Sequence, residues 1–362
     1  MRGVLRLLLV AIATLLGVAV LAGGWLAWSY NRPLNAQNPV ETVVDIPPGT
    51  SMRAIANLLV VHGVTGSALP LELTTRLTGV AGRTSPGEYQ FSSAMSPHQM
   101  VRKMIKGDVV LHAVTLPEGI GVREIIQRFT EAGLGTPEEY AAALLDADLA
   151  RTFGVVTVGV KVPFEGYLFP ATYRFPLRTP PRVIFQTMLR RMDAAFTPER
   201  EARRTAMGWT RHQVLTLASL IEKETGAPQE RPRIGAVFHN RLRRGMRLQT
   251  DPTVIYAIPN YDGDIRFKDL RREDPYNTYL HKGLPPGPIA SPGEAAIDAA
   301  LFPADDPSSL YFVSRGNGTH IFSKSLEEHN RSVDRYQRGR RSSAGNSTGN
   351  SAGSTSGRAS RR

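Results

Sequence analysis

The chain has 362 residues, ordinary hydrophobic content, no cysteine and a formal charge of +12. That length suffices for two modest domains with a sizeable core, and the absent cysteine excludes disulfides, thiolate catalysis and Cys-based zinc or iron–sulfur sites. The positive charge lies at the ends: Arg2, Arg6 and Arg32 fall in residues 1–40 and seven arginines in 335–362, and neither stretch holds an acid. The middle is close to neutral, so the basic face of a nucleic-acid-binding domain is not expected. No histidines pair as HExxH or HxH, and neither a metal nor a cofactor is expected.

Leu7 to Trp28 reads LLLVAIATLLGVAVLAGGWLAW, 22 residues without a charge. About 20 apolar residues cross the hydrocarbon core of a bilayer, so residues 7–28 are expected to form a transmembrane helix. Arg2 and Arg6 precede it and Arg32 follows, which places residues 1–6 in the cytoplasm and the rest outside. Trp25, Trp28 and Tyr30 suit the outer interface. A cleaved signal peptide is the alternative, with Val20-Leu21-Ala22 as its small-residue site. The apolar run continues past that point, which favours an uncleaved membrane anchor.

Residues 29–41 read as a polar linker. An internal repeat offset by 70 residues then sets Val44-Asp45-Ile46-Pro47-Pro48-Gly49 against Val114-Thr115-Leu116-Pro117-Glu118-Gly119. Each copy predicts a strand, a Pro–Gly turn, a helix and a closing glycine, Gly63 or Gly133. Gly87 to Phe91 predicts another strand, and Ser96-Pro97 a helix start with Ser96 as N-cap. Residues 120–210 are mainly helical in period, interrupted by the turn Pro163 to Pro170. From 227 onward prolines, glycines and short strands are expected. The Ser/Gly/Asn/Arg-rich stretch 335–362 cannot bury apolar surface and is expected to be disordered.

Thr210 and Gln213 form a capping box for a helix running through VLTLASLIEKET to Gly226. Its period predicts an apolar stripe through Val214, Leu217, Ala218 and Ile221. Glu222 lies on one shoulder of that stripe, about 80° from its centre, with Glu224 on the other and Lys223 outward. Partial desolvation of Glu222 would raise its proton affinity and suit it to protonate a glycosidic oxygen. The same pattern also fits ordinary ion-paired carboxylates on a helix surface, and the helix alone does not separate these readings. Downstream, Asn240, Gln249, Thr250, Asp251, Tyr276 and Asn277 sit on Pro-stiffened turns. Their amides, hydroxyls and rings suit a neutral sugar better than a phosphate. No SxxK, GxxxxGK[ST] or GxGxxG occurs, and GxSxG occurs only within the low-complexity stretch (Gly345 to Gly349 and Gly349 to Gly353), away from any strand–turn–helix pattern, which removes the corresponding acyl-enzyme and nucleotide classes.

Six ordered blocks, EGYLFPATY (165–173), LASLIEKET (217–225), VFHNRLRRGMRLQTDPTVIY (237–256), YNTY (276–279), GLPPGPIASPG (283–293) and YFVSRGNGTHIFSKSLEEHN (311–330), resemble the YceG-like endolytic murein transglycosylases. Ala171 and Ser291 depart mildly from the family pattern, both at turns. The resemblance implies an α+β protein with a small LysM-like α+β module at 42–110 and a mixed α+β catalytic domain at 111–334. It implies cleavage between N-acetylmuramic acid and N-acetylglucosamine in nascent peptidoglycan, leaving 1,6-anhydromuramyl ends. Glu222 is matched to the family's single essential acid–base glutamate. The six polar residues named above are candidates for holding the glycan, and peptidoglycan synthases are expected partners. The rivals are a hydrolase with Asp251 or Glu224 as a second carboxylate, and a wall-binding scaffold without catalysis.

Overall fold

The computed structural model of the chain describes residues 2–338, and from residue 339 the expected tail lies outside the described residues. The fold is mixed α and β, with helices predominant, and divides into two compact units. The first comprises the chain through Ala113 with Ala132–Leu134 and Arg174–Thr179; the second holds the remainder.

In the first unit, α1 (Arg2–Asn31) carries an apolar span from Gly3 to Asn31, long enough to cross a membrane. It is followed by β1 (Glu41–Ile46), α2 (Met52–Val61), α3 (Leu69–Leu77), β2 (Gly87–Ser92) and α4 (Pro97–Lys106). Strand alternation dictates the core here: β1 turns Val44 and Ile46 inward, and antiparallel β2 answers with Tyr89 and Phe91. Ile55, Leu59, Leu71, Met100 and Met104 close over them. At about 1.5–3 kcal/mol per fully buried large side chain, these contacts stabilise so small a unit. Ser96 caps α4 reciprocally with Gln99, as its sequence predicts, and Gly107 ends it in the left-handed region at φ 67°. The end of α1 joins this core, because Tyr30 is buried and lies 5.6 Å from the His98 ring.

After β3 (His112–Thr115), the second unit begins with α5 (Val122–Glu131), α6 (Pro137–Leu144) and α7 (Ala147–Thr152). It continues through the first two residues of β4 (Thr172–Phe175), then α8 (Pro181–Ala195), α9 (Pro198–Ala206) and α10 (Arg211–Glu224). The last part holds α11 (Arg231–Arg243), α12 (Asp251–Ala257), α13 (Glu294–Leu301), β5 (Tyr311–Ser314), β6 (His320–Ser323) and α14 (Leu326–Val333). Two expectations change. Beyond residue 227 short helices separated by irregular loops outnumber strands, with one antiparallel strand pair, β5–β6, among the described residues. Asp334–Arg338 continue α14 as a π-helical turn, so the boundary expected at 335 falls inside helical structure.

Helix α10 is the centre of this unit. Its predicted capping box is present, with Thr210 Oγ1 accepting from the Gln213 N–H at 3.1 Å. The expected half-buried helix is instead buried all round from Val214 to Ile221, between α11, α12 and α13. Its polar members are satisfied internally: Thr216 donates to the His212 carbonyl at 2.7 Å, and Ser219 donates to the Thr216 carbonyl and accepts the Ile289 N–H. Close approach of α11 to α13 depends on Gly235, where a Cβ would stand 2.4 Å from the Ala299 carbonyl oxygen. Arg200 of α9 fastens the far side with paired bonds of 2.6 and 2.7 Å to Asp298.

Candidate active site

Because α10 is enclosed on all sides, its chemistry lies at its C-terminal end. Residues two apart on a helix point about 200° apart, so Glu222 and Glu224 enter different surroundings.

Glu222 is only 6% exposed and its carboxylate is fully engaged. Oε1 accepts from Arg231 Nη2 at 2.7 Å, and Oε2 accepts the Gly293 N–H at 3.1 Å. The same guanidinium reaches Glu118 at 3.4 Å. Burial, followed by the nearby Glu222 charge, raises the proton affinity of Glu118. Glu118 lies on the second copy of the repeat, which pairs backbone to backbone with the 291–293 turn through Gly119–Ser291 and Ser291–Ile120 bonds of 2.8 Å. These contacts join α10, α11 and two turns. Both oxygens of the Glu222 carboxylate thus serve contacts within the protein.

Glu224 ends α10 and opens on a cavity of about 410 Å³, lined also by Arg241, Gln249, Asp251, Tyr279, Tyr311, His320 and His329. Burial of its carboxyl raises its pKa to about 7. The Thr250 hydroxyl, which donates to Oε1, opposes that rise, the Asp251 charge adds to it, and Arg241 opposes it. The negative end of the α10 dipole acts in the same sense as burial. The result is a carboxyl poised between acid and base near neutrality, as a general acid–base group requires.

The floor of the cavity is stiff. Gln249 adopts φ 48°, uncommon for a residue with a side chain, and is held there by its N–H to the Thr278 carbonyl at 3.1 Å. Thr250 N–H donates to Thr278 Oγ1 at 3.0 Å, and Tyr279 O–H to Asp251 Oδ1 at 2.6 Å. Arg241 is buried under the wall, with its guanidinium on the Leu310 and Leu248 carbonyls at 2.7 and 2.6 Å.

Of the six residues expected to hold glycan, the fold gathers Gln249, Thr250 and Asp251 around Glu224. It places the other three elsewhere. Asn240 is buried, with its amide donating to the Asp306 and Ser309 carbonyls at 2.8 Å and its oxygen accepting from Arg243. Asn277 donates to the Leu270 and Arg272 carbonyls and accepts the Tyr279 N–H. Both amides tie loops, with their donors and acceptors engaged within the protein. Tyr276 is buried against Tyr256, and its hydroxyl accepts the Lys161 N–H at 3.3 Å. Sequence reasoning missed Arg231, Tyr279 and Arg241, and it gave Glu224 the lesser part. All but Arg231 lie in blocks it quoted, but no spacing rule separates a cleft arginine from a surface one.

A second buried carboxyl lies outside the cavity. Glu165, from the Pro163–Pro170 turn, accepts the Val122 N–H at 3.0 Å and caps α5, with Tyr256 O–H at 3.3 Å. Burial raises its pKa to about 7, against both bonds and the Arg123 and Lys223 charges.

Residues 44–335 match the YceG-like family. The chain is 32% identical over 319 residues to the endolytic murein transglycosylase of Bacillus subtilis strain 168, covering 84% of this chain and 87% of that one. It is 29% identical to the endolytic murein transglycosylase of Streptococcus pneumoniae serotype 2, covering 86% of this chain and 62% of that one. A crystal structure of a YceG-like protein from Listeria monocytogenes superposes with a TM-score of 0.56 at 33% identity, covering 81% of this chain and 99% of that one. The match spans both units and includes the α10 carboxylates and the cavity floor, and the chain belongs to the YceG-like family.

Proposed function

We propose that this protein is an endolytic murein transglycosylase and that Glu224, in place of Glu222, is its acid–base residue. The observation that carries the assignment is the environment of Glu224: a carboxyl with a pKa of about 7 at the edge of a cavity lined by hydrogen-bonding and aromatic side chains. In the first step its proton goes to the glycosidic oxygen between N-acetylmuramic acid and N-acetylglucosamine, and the C1–O bond breaks with oxocarbenium character. In the second, the carboxylate takes the proton of the muramyl C6 hydroxyl, whose oxygen bonds to C1 and closes the 1,6-anhydro ring. The nucleophile is part of the substrate, so one carboxylate serves both steps and no water is consumed. Gln249, Thr250 and Asp251 would position the sugar and set the proton affinity of Glu224.

The β1–α2–α3–β2 order with an antiparallel strand pair supports a LysM-like reading of the first unit as a glycan-holding module. The apolar α1 supports a single-pass anchor in the inner membrane. The arginines before it favour a cytoplasmic N-terminus, with nascent strands as substrate and peptidoglycan synthases as neighbours. Mass analysis of products from purified glycan strands tests the reaction: anhydro ends, one water lighter than reducing ends, are expected. Reducing ends alone would show a hydrolase, with Asp251 activating water, and would sink the proposal.

A further inference from the structure

A second built pair reaches the cavity through one of its members, His320. His320 opens β6, and both its backbone N–H and its ring Nδ1 meet Glu230, at 3.0 and 2.8 Å on Oε2. The two side chains are 9% and 13% exposed. The Phe312 ring meets the imidazole edge-on, with centroids 5.5 Å apart at 88°. The ring is therefore pinned on two sides. An ionised carboxylate only accepts, so Nδ1 carries the hydrogen, and in the neutral imidazole Nε2 presents a lone pair. Among the described residues none hydrogen-bonds that nitrogen, and His320 lines the same cavity as Glu224.

We propose that His320, oriented by Glu230, is a substrate-positioning residue of the cleft whose Nε2 accepts a hydrogen bond from a hydroxyl or amide N–H of the bound sugar. This rests on the glycan-cleaving reading of the site. A purely structural pair would use Nδ1 alone, to fasten β6 to the segment before α11. The two roles therefore depend on different ring atoms, and two substitutions separate them. An Asn amide falls near the Nδ1 position, and a Gln amide near Nε2.

With the full chain in detergent acting on uncrosslinked glycan strands, His320→Asn is expected to keep a melting temperature near that of the parent and to lose about ten-fold in kcat/KM, mainly through KM, as for one lost hydrogen bond. His320→Gln is expected to melt lower and to keep activity within about three-fold. The reverse order, with Asn active and Gln not, overturns the proposal. Should neither variant fold, histidine ¹⁵N spectra of the Glu224→Gln protein provide an independent readout. Saturating glycan should shift the His320 Nε2 signal, and an unmoved signal refutes the contact. Full activity of Glu224→Gln would instead overturn the acid assignment, so the two failures are distinguishable.

Discussion

The proton affinity of Glu224 can be pushed in opposite directions by two of its neighbours. The Thr250 hydroxyl favours the ionised carboxylate, and the Asp251 charge disfavours it. A general acid must be protonated in the free enzyme, so kcat/KM should fall on the alkaline side with a midpoint near 7, to about one-tenth by pH 8 and about one-hundredth by pH 9. Thr250→Val deletes a hydrogen bond to a charged group, about 1.5–3 kcal/mol. At 1.36 kcal/mol per pH unit, the alkaline limb should move up by about one to two units. Asp251→Asn removes a negative neighbour but keeps an oxygen for the Tyr279 hydroxyl, so the limb should move down, by about one unit. The assay is kcat/KM against pH with the full chain, counting anhydro ends by mass spectrometry. Limbs that stay put, or that move the same way in both variants, would refute the electrostatic account of this site.

Glu224→Gln should lower kcat by about 10²–10⁴-fold with little change in melting temperature. Glu222→Gln should behave in the opposite way, with cleavage nearly intact and stability reduced, as measured by thermal melts and turnover on the same preparations. Arg231→Met leaves the Glu222 carboxylate buried without its cation and should cost about 3–5 kcal/mol in urea unfolding. Asn240→Ala leaves the Asp306 and Ser309 carbonyls without their donor and should cost about 1–3 kcal/mol, with KM unchanged. Glu165 has a folded pKa of about 7, above the usual carboxylate value, so the folded state binds the extra proton. Its contribution to stability is complete below about pH 4 and is lost as pH rises through about 7, some 3 kcal/mol in all. Glu165→Gln should flatten that part of the stability–pH curve.

Much of the first unit was legible in the sequence because its signals are local. Short strand signals were readable at Val44 to Ile46 and Gly87 to Phe91, and Ser96 marks a helix start through a short-range hydrogen bond, as Thr210 does in the second unit. The site was harder to read. The capping box of α10 was readable, but the amphipathic premise failed because the helix is buried all round from Val214 to Ile221, between α11, α12 and α13. What distinguishes Glu222 from Glu224 is a pair of non-local partners, Arg231 with the Gly293 N–H on one side and Thr250 with Asp251 on the other. Asn240 and Asn277 look like sugar ligands in a string of letters. Only the fold shows their amides engaged by loop carbonyls.

The short passage from α1 into the first unit bears on how the protein moves. Tyr30 is buried there, Asn35 N–H donates to the Ser93 carbonyl at 2.9 Å, and Val40 N–H donates to Ser93 Oγ at 2.9 Å. The residues between helix and strand are thus laid along the module and do not hang as a free leash. With α1 in a bilayer, the tilt of that one helix would set the attitude of the module, as a mast sets its pennant. Thickening or thinning the lipid would then re-aim the module by leaning its stem, with no contact inside the module broken.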